Sequence, residues 1–164
     1  MHQVYLSLGS NIQPEVNLPR AIELLRQYGE IVKVSSVWES EAVGSDGPNF
    51  LNACVLLVTP ITETELKEKI IHPIEVKLGR KRSADKNAPR TIDIDAILFD
   101  DHSLNNKFWK QAFVVIPLAE IYSDYQNPLT QENILQTAVR FQQNVWMETR
   151  HGLLNQFNGN GLRS

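Results

Sequence analysis

Apolar and polar positions in the first hundred residues follow strand-like and helix-like periods in turn. Short β-prone runs at Val4–Leu8, Ile31–Trp38 and Phe50–Thr59 predict three strands. A fourth is predicted at Thr91–Phe99, where apolar side chains take every second position. The Phe50–Thr59 run is apolar enough to be a central strand, so these runs predict a single sheet.

Two helices are predicted between these strands. Apolar residues at helical spacing indicate the first over Leu18–Tyr28, with Asn17 as its cap. The second begins at a capping box formed by Thr62 and Glu65, and we expect Pro73 to kink it. The order β-α-β-β-α-β is that of a ferredoxin-like core. We therefore predict an α+β fold with a mostly antiparallel sheet and helices packed on it.

The pattern after residue 99 is less regular. An apolar segment covers Ala112–Ala119, and Gln131–Gln143 has the spacing of a further helix. We expect Trp146 to pack on this C-terminal helix. No internal repeat or linker divides the chain, so residues 1–164 are predicted to form one domain with C-terminal additions to the core.

Composition narrows the class of protein. With 42% apolar residues, 21% charged residues and one cysteine, the chain cannot be disordered, form an intrachain disulfide or build a thiolate zinc cluster. It has no signal-peptide pattern and no apolar run of about 18 residues, so we expect a cytoplasmic protein with no membrane partner. The net charge of −3 argues against a nucleic-acid partner, and we expect a monomer.

Charge is unevenly distributed along the chain. The segment Lys67–Arg90 carries a net charge of +5, the rest of the chain carries −8, and Asp93 and Asp95 follow the basic segment directly. Basic side chains bind phosphate oxygens and carboxylates bind Mg²⁺, so this order favours a metal-bound polyphosphate as ligand. The arginines at the end of the basic segment, whose guanidinium forks suit phosphate, are Arg80, Arg82 and Arg90.

The fourth predicted strand carries the most specific signal. Side chains alternate between the faces of a strand, so Asp93 and Asp95 should project in parallel, with Cα atoms about 7 Å apart. We expect Ile97 and Phe99 on the same side, which weakens the alternative of a merely solvated polar face. Parallel carboxylates repel each other unless a cation lies between them, so the spacing predicts a metal site. The residues predicted on the opposite face are Ile92, Ile94, Ala96 and Leu98.

Three sequence blocks occur in the order and spacing of one known family. The strongest extends from Gly79 to Asp95 and contains Pro-Arg-Thr-Ile-Asp-Ile-Asp at residues 89–95. The others are Ser-Leu-Gly-Ser-Asn at residues 7–11 and Pro-Asn-Phe-Leu-Asn-Ala at residues 48–53. Over about residues 3–122 the chain resembles the 6-hydroxymethyl-7,8-dihydropterin pyrophosphokinase family. The resemblance implies transfer of the diphosphate of ATP to the hydroxymethyl group of the pterin for folate synthesis, with AMP as the second product.

The resemblance also implies roles for single residues. Asp93 and Asp95 match the positions that bind two Mg²⁺ ions between ATP, the co-substrate, and the acceptor hydroxyl. Phe50 and Phe113 match two rings that stack on the pterin, although without the resemblance both would be assigned to the core. Asn52 matches an amide that pairs with the pterin, and an amide in an apolar strand needs hydrogen-bond partners. The implied catalytic residues are Arg82, Arg90, Asp93 and Asp95. The implied ATP-binding residues are Glu75, Arg80, Arg82, Arg90 and Lys110. The implied pterin-binding residues are Ser40, Val43, Gly44, Phe50, Asn52 and Phe113.

One segment departs from the family pattern. The lid segment, residues 100–113, is shorter than in the family, lacks a Pro-His pair, and has Gln111 in place of an arginine that contacts ATP. Lys107, Lys110 or His102 could supply the missing charge. We therefore expect weaker nucleotide binding or slower turnover than in a typical member. Two alternatives stay open, a paralogue that binds pterin with reduced or lost transfer and a ferredoxin-like module that binds a small molecule.

Overall fold

One antiparallel sheet organises the chain, of which this computed structural model describes residues 1–44, 46–81 and 88–157. The strands of the described residues are β1 (His2–Ser10), β2 (Glu30–Val34), β3 (Val37–Ser40), β4 (Phe50–Thr59), β5 (Asp93–Phe99), β6 (His102–Ser103) and β7 (Met147–Arg150). The α-helices of the same residues are α1 (Pro14–Leu25), α2 (His72–Lys77), α3 (Ala112–Ile121) and α4 (Ile134–Asn144).

The sheet order confirms the predicted fold class. The order is β6-β5-β1-β4-β3-β7, and β2 pairs with the second half of β4. If β2 and β3 are counted as one strand and the four core strands are numbered along the chain, their order across the sheet is 4-1-3-2, which is the ferredoxin-like arrangement. β4 is buried along nearly its whole length, as expected of a central strand.

Helices cover both faces of this sheet. On one face, α1 and α2 pack on the strands and bury side chains such as Leu6, Ile22 and Ile74. On the other face, α3 and α4 bury a second cluster that includes Cys54 and Val115. In the described part of the chain, no helix has the length and apolar character needed to cross a membrane.

The predicted second strand is broken into β2 and β3 at Ser35 and Ser36. The hydroxyl of Ser35 accepts a hydrogen bond from the Cys54 N–H at 2.9 Å, and the hydroxyl of Ser36 donates to Glu120 of α3 at 2.8 Å. Glu120 also accepts from Trp38 Nε1 at 2.6 Å. Side-chain hydroxyls that bond to the backbone compete with the strand ladder, which explains the break. The same bonds fix α3 against the sheet.

β5 contains an extra residue that changes which face its later side chains occupy. Ala96 and Leu98 pair with consecutive residues of β1, so Ile97 forms a bulge between them. After the bulge, Leu98 packs in the cluster under α3 and Phe99 in the cluster under α1. The predictions that Leu98 shares a face with the earlier isoleucines, and Phe99 a face with the aspartates, are therefore wrong.

The helical segment before β5 begins at the predicted capping box of Thr62 and Glu65. A π-helical turn at Lys67–Ile71 then precedes α2, whose second residue is Pro73. Because proline has no N–H to donate and its ring clashes with the preceding turn, a wider turn accommodates it. The distortion predicted at Pro73 is therefore a π-helical turn.

The other helices differ from prediction at their ends. α1 begins at Pro14 rather than Leu18, and Asn17 lies inside it, where its side-chain amide donates to the Ile12 carbonyl at 2.6 Å. The predicted cap at Asn17 is therefore wrong, because the asparagine bonds backward to the loop instead of forward into the helix. α4 confirms the helix predicted over Gln131–Gln143, and the apolar segment Ala112–Ala119, to which no element was assigned, lies in α3.

Candidate active site

A cavity of about 650 Å³ lies on the α3 face of the sheet, where one end of β1, β3, β4 and β5 meet. One end of the cavity is charged and the other is aromatic. The charged side chains are Arg90, Asp93, Asp95 and Lys110, with Glu41 from the loop after β3, and the aromatic side chains are Phe50, Phe113, Phe141 and Trp146. The cavity therefore presents a polar and an apolar surface to one ligand or to two adjacent ligands.

Strand register places an acidic and an amide side chain in one row across the sheet. Gly9 of β1 pairs with Asp93 of β5 on one side and with Asn52 of β4 on the other. Directly paired residues point to the same face, so both side chains flank a position that has none. Because strands lie about 4.8 Å apart, Asp93 and Asn52 are separated by roughly 10 Å across the sheet.

Glycine at position 9 keeps the cavity floor open. A Cβ atom there would lie 3.2 Å from Asn52 Oδ1 and 3.6 Å from the ring of Phe50. A larger residue would therefore press on both side chains at the aromatic end. This close approach gives a physical reason for the glycine in the first sequence block.

Two arginines hold Asp93. Arg80 Nη1 lies 3.0 Å from Asp93 Oδ1, and Arg90 Nη1 lies 3.2 Å from Oδ2, so each carboxylate oxygen has a cationic partner. The backbone of Arg90 is in turn held by Asn11, whose Oδ1 accepts from the Arg90 N–H at 2.8 Å. Asn11, from the sequence block at residues 7–11, thereby orients Arg90, from the block at residues 89–95.

Behind this pair lies a buried carboxylate. Glu75 of α2 is 4% exposed and forms an ion pair with Arg80, whose side chain is 12% exposed. Glu75 also bonds to the edge of the sheet. β6 pairs only with the last residues of β5, so Ile94 has no partner in β6, and its N–H donates to Glu75 at 3.4 Å. Neither Glu75 nor Arg80 lines the cavity. The structure therefore places Glu75 behind the site, where it anchors Arg80 beside Asp93.

Asp95 is the less compensated carboxylate of the pair. It reaches solvent in the cavity, yet its pKa is raised to about 6, chiefly because the surrounding protein withdraws water from the carboxylate. Repulsion from Asp93 and Glu75 contributes to this rise, and attraction to Arg80 and Arg90 opposes it. A group that is costly to ionise for these reasons is stabilised by an added cation.

The described residues hold no cluster of three or more histidine, cysteine, aspartate or glutamate side chains arranged for a metal ion. Asp93 and Asp95 lie on one strand, two residues apart, and both carboxylates line the cavity. They fit the partial carboxylate shell through which Mg²⁺ is bound when substrate phosphates supply other ligands.

The aromatic end is built around a buried amide. Asn52 is buried, and its Nδ2 donates to Ser40 Oγ at 2.8 Å and to the Trp38 carbonyl at 3.1 Å. These bonds use both amide hydrogens and so fix the orientation of the side chain. Phe50 begins β4 and Phe113 lies in the first turn of α3, and both are partly buried at the cavity wall.

The loop after β3 forms part of the cavity wall. Exposed Val43 lines the cavity together with Ser40, Glu41 and Ala42, whereas Gly44 does not line it. Gly44 has a φ of +73°, in the left-handed region that glycine adopts without strain. Arg82, predicted as a catalytic and ATP-binding residue, lies outside the described residues.

The lid segment is a packed element. Phe108 is buried and Trp109 stacks on Tyr125 with ring centroids 5.9 Å apart, and these contacts fix the short 3₁₀ helix Asn106–Lys110. Of the basic residues considered as substitutes for the family arginine, Lys110 lines the cavity, while Lys107 and His102 do not. Gln111 also lines it, next to Lys110.

One wall of the cavity was not predicted. Phe141, Val145, Trp146 and Met147 come from the end of α4 and the start of β7. Trp146 is 42% exposed and lines the cavity, a role that the expectation of packing on the C-terminal helix did not include. The pairing of Met147 with Ser40 brings this segment to the site. No local pattern signals a contact between residues so far apart in sequence.

Family comparison agrees with these observations. A family model described as 7,8-dihydro-6-hydroxymethylpterin-pyrophosphokinase (HPPK) matches residues 5–123. The chain belongs to the HPPK family. The matched region contains every predicted site residue, and it ends before the wall formed by α4 and β7. The predicted family is thus confirmed.

Two relatives named 2-amino-4-hydroxy-6-hydroxymethyldihydropteridine pyrophosphokinase extend the HPPK match. The one from Bacillus subtilis strain 168 is 35% identical over 156 residues, covering 88% of this chain and 90% of its own. The one from Aquifex aeolicus is 37% identical over 139 residues, covering 79% and 86%. Both relatives are matched over most of their length.

A solved structure of the Plasmodium falciparum HPPK-DHPS triple mutant shares the fold. It aligns with a TM-score of 0.69 at 12% identity and covers 85% of this chain. The chain spans 43% of that longer protein. At this level of identity the likeness supports the HPPK fold alone.

Proposed function

We propose that this HPPK-family chain transfers the diphosphate of ATP to the hydroxymethyl group of 6-hydroxymethyl-7,8-dihydropterin in folate synthesis. The acceptor oxygen forms a bond to the β-phosphorus, the bond from the β-phosphorus to the α-phosphate oxygen breaks, and AMP leaves while the hydroxyl proton is released. The observation that carries the proposal is the row Asp93–Gly9–Asn52, which sets an acidic site and a buried amide at opposite ends of one open cavity.

The aromatic end suits the flat acceptor. Phe50 and Phe113 can cover its faces, and the buried amide of Asn52 can read its edge because Ser40 and Trp38 already fix the amide orientation. An acceptor ring at Asn52 directs its substituent across Gly9 toward the carboxylates, because Gly9 presents no side chain. Positioning two reactants in this way is a large part of catalysis for phosphoryl-type transfer.

The charged end suits the nucleotide phosphates. Arg80 and Arg90 contact Asp93, and Lys110 lines the same cavity, so cationic groups accompany the carboxylates. Asp93 and Asp95 are the residues that would hold Mg²⁺. When bound, Mg²⁺ neutralises charge on the phosphate oxygens and orients them for transfer. The arginines add fixed positive charge where negative charge develops.

Release of AMP is the direct test. We expect the wild-type protein to form AMP from ATP only when both Mg²⁺ and 6-hydroxymethyl-7,8-dihydropterin are present, as measured by chromatography. Asp95→Asn should lower the rate about 10³-fold, because it removes a charge that acts on the reacting phosphates. The matched control is Glu68→Gln, since this carboxylate is 81% exposed on another element and should leave the rate unchanged.

The outcomes separate the functions considered. Loss of AMP formation with retained pterin binding, measured by calorimetry, would favour a paralogue that has lost transfer, and Gln111 in the cavity wall is the feature that would explain it. Loss of both would favour a binding module for another small molecule. Equal rates for the wild type and Asp95→Asn would contradict the assigned role of the carboxylates.

A further inference from the structure

Trp146 has the features of a ligand contact. Its side chain lines the cavity and is 42% exposed, a large fraction for a tryptophan that forms part of a wall. It is held from both sides, because Val145 closes the end of α4 through an N–H bond to the Phe141 carbonyl at 2.8 Å and Met147 begins β7. The backbone is therefore fixed while the indole ring stays open toward the cavity.

The sheet order determines which end of the cavity this ring serves. β5, which carries the carboxylates, is separated from β7 by β1, β4 and β3. Four strand spacings of about 4.8 Å put the two strands roughly 19 Å apart. In contrast, Met147 pairs with Ser40, and Ser40 accepts a hydrogen bond from the Asn52 amide. Trp146 thus belongs to the aromatic end.

Most side chains around the ring are apolar. Phe113, Phe141 and exposed Val43 line the same cavity, and Glu41, which follows Ser40 in the loop after β3, adds a negative charge that disfavours phosphate at this end. The antiparallel pairing of Ser40 with Met147 directs this loop and Trp146 toward each other at the cavity mouth. Among the cavity-lining residues of β7 and the end of α4, none is charged. A neutral, flat ligand fits this wall better than a triphosphate does.

We propose that Trp146 contacts the acceptor ring and determines affinity for it, as an outer aromatic wall supplied by a segment that the HPPK family model does not cover. The proposal rests on the proposed function, because it assumes that the acceptor is a pterin bound at Asn52. The ring acts through contact area, so it contributes to binding of the acceptor before and during transfer alike.

The test measures steady-state kinetics for both substrates in Trp146→Ala and Trp146→Phe. Truncation to alanine should raise the KM for the pterin about 10-fold, the upper range for one aromatic contact, with little change in kcat or in the KM for ATP. Phenylalanine keeps a ring and should stay within about 2-fold of wild type. Pterin affinity of each variant, measured by calorimetry with a non-hydrolysable ATP analogue, should follow the same order.

Controls keep the outcomes distinct. Val139→Ala removes an exposed apolar side chain from α4 outside the cavity and should change neither KM. Thermal unfolding of each variant shows whether it folds. An unchanged pterin KM in Trp146→Ala would overturn the inference, as would equal losses in both Trp146 variants. If wild type itself forms no AMP, the proposed function has failed, and calorimetry alone then decides the role of Trp146.

Discussion

Removal of the Glu75 carboxylate should destabilise the protein more than a typical charge substitution does. Glu75 and Arg80 form a largely buried ion pair, and Glu75 also accepts from the Ile94 N–H at the sheet edge. Removing one partner of a buried pair costs about 3–5 kcal/mol when the other charge is left uncompensated. Arg80 keeps Asp93 at 3.0 Å, so we expect the lower end of that range, about 3 kcal/mol, for Glu75→Ala.

Urea unfolding followed by circular dichroism measures this loss directly. For a chain of this size, about 3 kcal/mol corresponds to a fall in Tm of roughly 6–12 °C. A double-mutant cycle with Arg80→Gln should give a coupling free energy of at least about 1 kcal/mol, because the two side chains are in contact. Glu68→Gln, which alters an exposed pair with His72, should cost less than about 0.5 kcal/mol.

The same variant decides between two roles for Glu75. The family resemblance implies a contact with ATP, whereas the structure shows a buried anchor for Arg80. A loss below about 1 kcal/mol in Glu75→Ala, accompanied by a large rise in the KM for ATP, would refute the anchoring argument. Such a result would favour direct contact with the nucleotide.

Three further predictions concern the cavity. The pKa of Asp95 lies at about 6, above its usual 3.8, so the folded state binds the proton more tightly than the unfolded state does. The folded state therefore gains stability as the pH falls from about 6 toward 4. In metal-free buffer, Asp95→Asn should therefore unfold at higher urea than wild type at pH 7.5 and lose this advantage near pH 4; a less stable variant at pH 7.5 would contradict this. Gln111→Arg should lower the KM for ATP about 5-fold, as expected of one charge-assisted hydrogen bond at an exposed site, and Gln111→Glu should raise this KM. Equal KM values for the two variants would show that position 111 does not contact phosphate. Gly9→Ala places a Cβ atom 3.2 Å from Asn52 Oδ1 and should raise the KM for the pterin several-fold, while an unchanged KM would show that the acceptor does not cross this position.

Local periodicity predicted most of the core. The strand and helix order over the first hundred residues is correct because each element buries an apolar face whose spacing can be read within a few turns or strand residues. The bulge at Ile97 and the break at Ser35 and Ser36 were not predicted. Both depend on partners in other strands and helices, which the spacing within one segment does not encode.

The same distinction applies to the site. Asp93 and Asp95 were found because two-residue spacing in a strand is enough to place both carboxylates on one face. Asn52 was noticed because an amide is unusual in an apolar strand. The place of Trp146 in the cavity wall was not predicted, because it depends on the pairing of β7 with β3, which joins residues more than a hundred positions apart. The role of Glu75 also depends on burial that only the packed helix reveals.

Because arginines hold Asp93, binding of an anion in the cavity affects binding of a cation there. Arg80 and Arg90 each hold one oxygen of this carboxylate, and Arg90, which lines the cavity, can also donate to an incoming phosphate. A nucleotide that draws the Arg90 guanidinium group toward itself leaves Asp93 with one counter-charge fewer, and a divalent ion can replace it. Nucleotide and ion should therefore strengthen each other's binding by the same factor, as thermodynamic reciprocity requires.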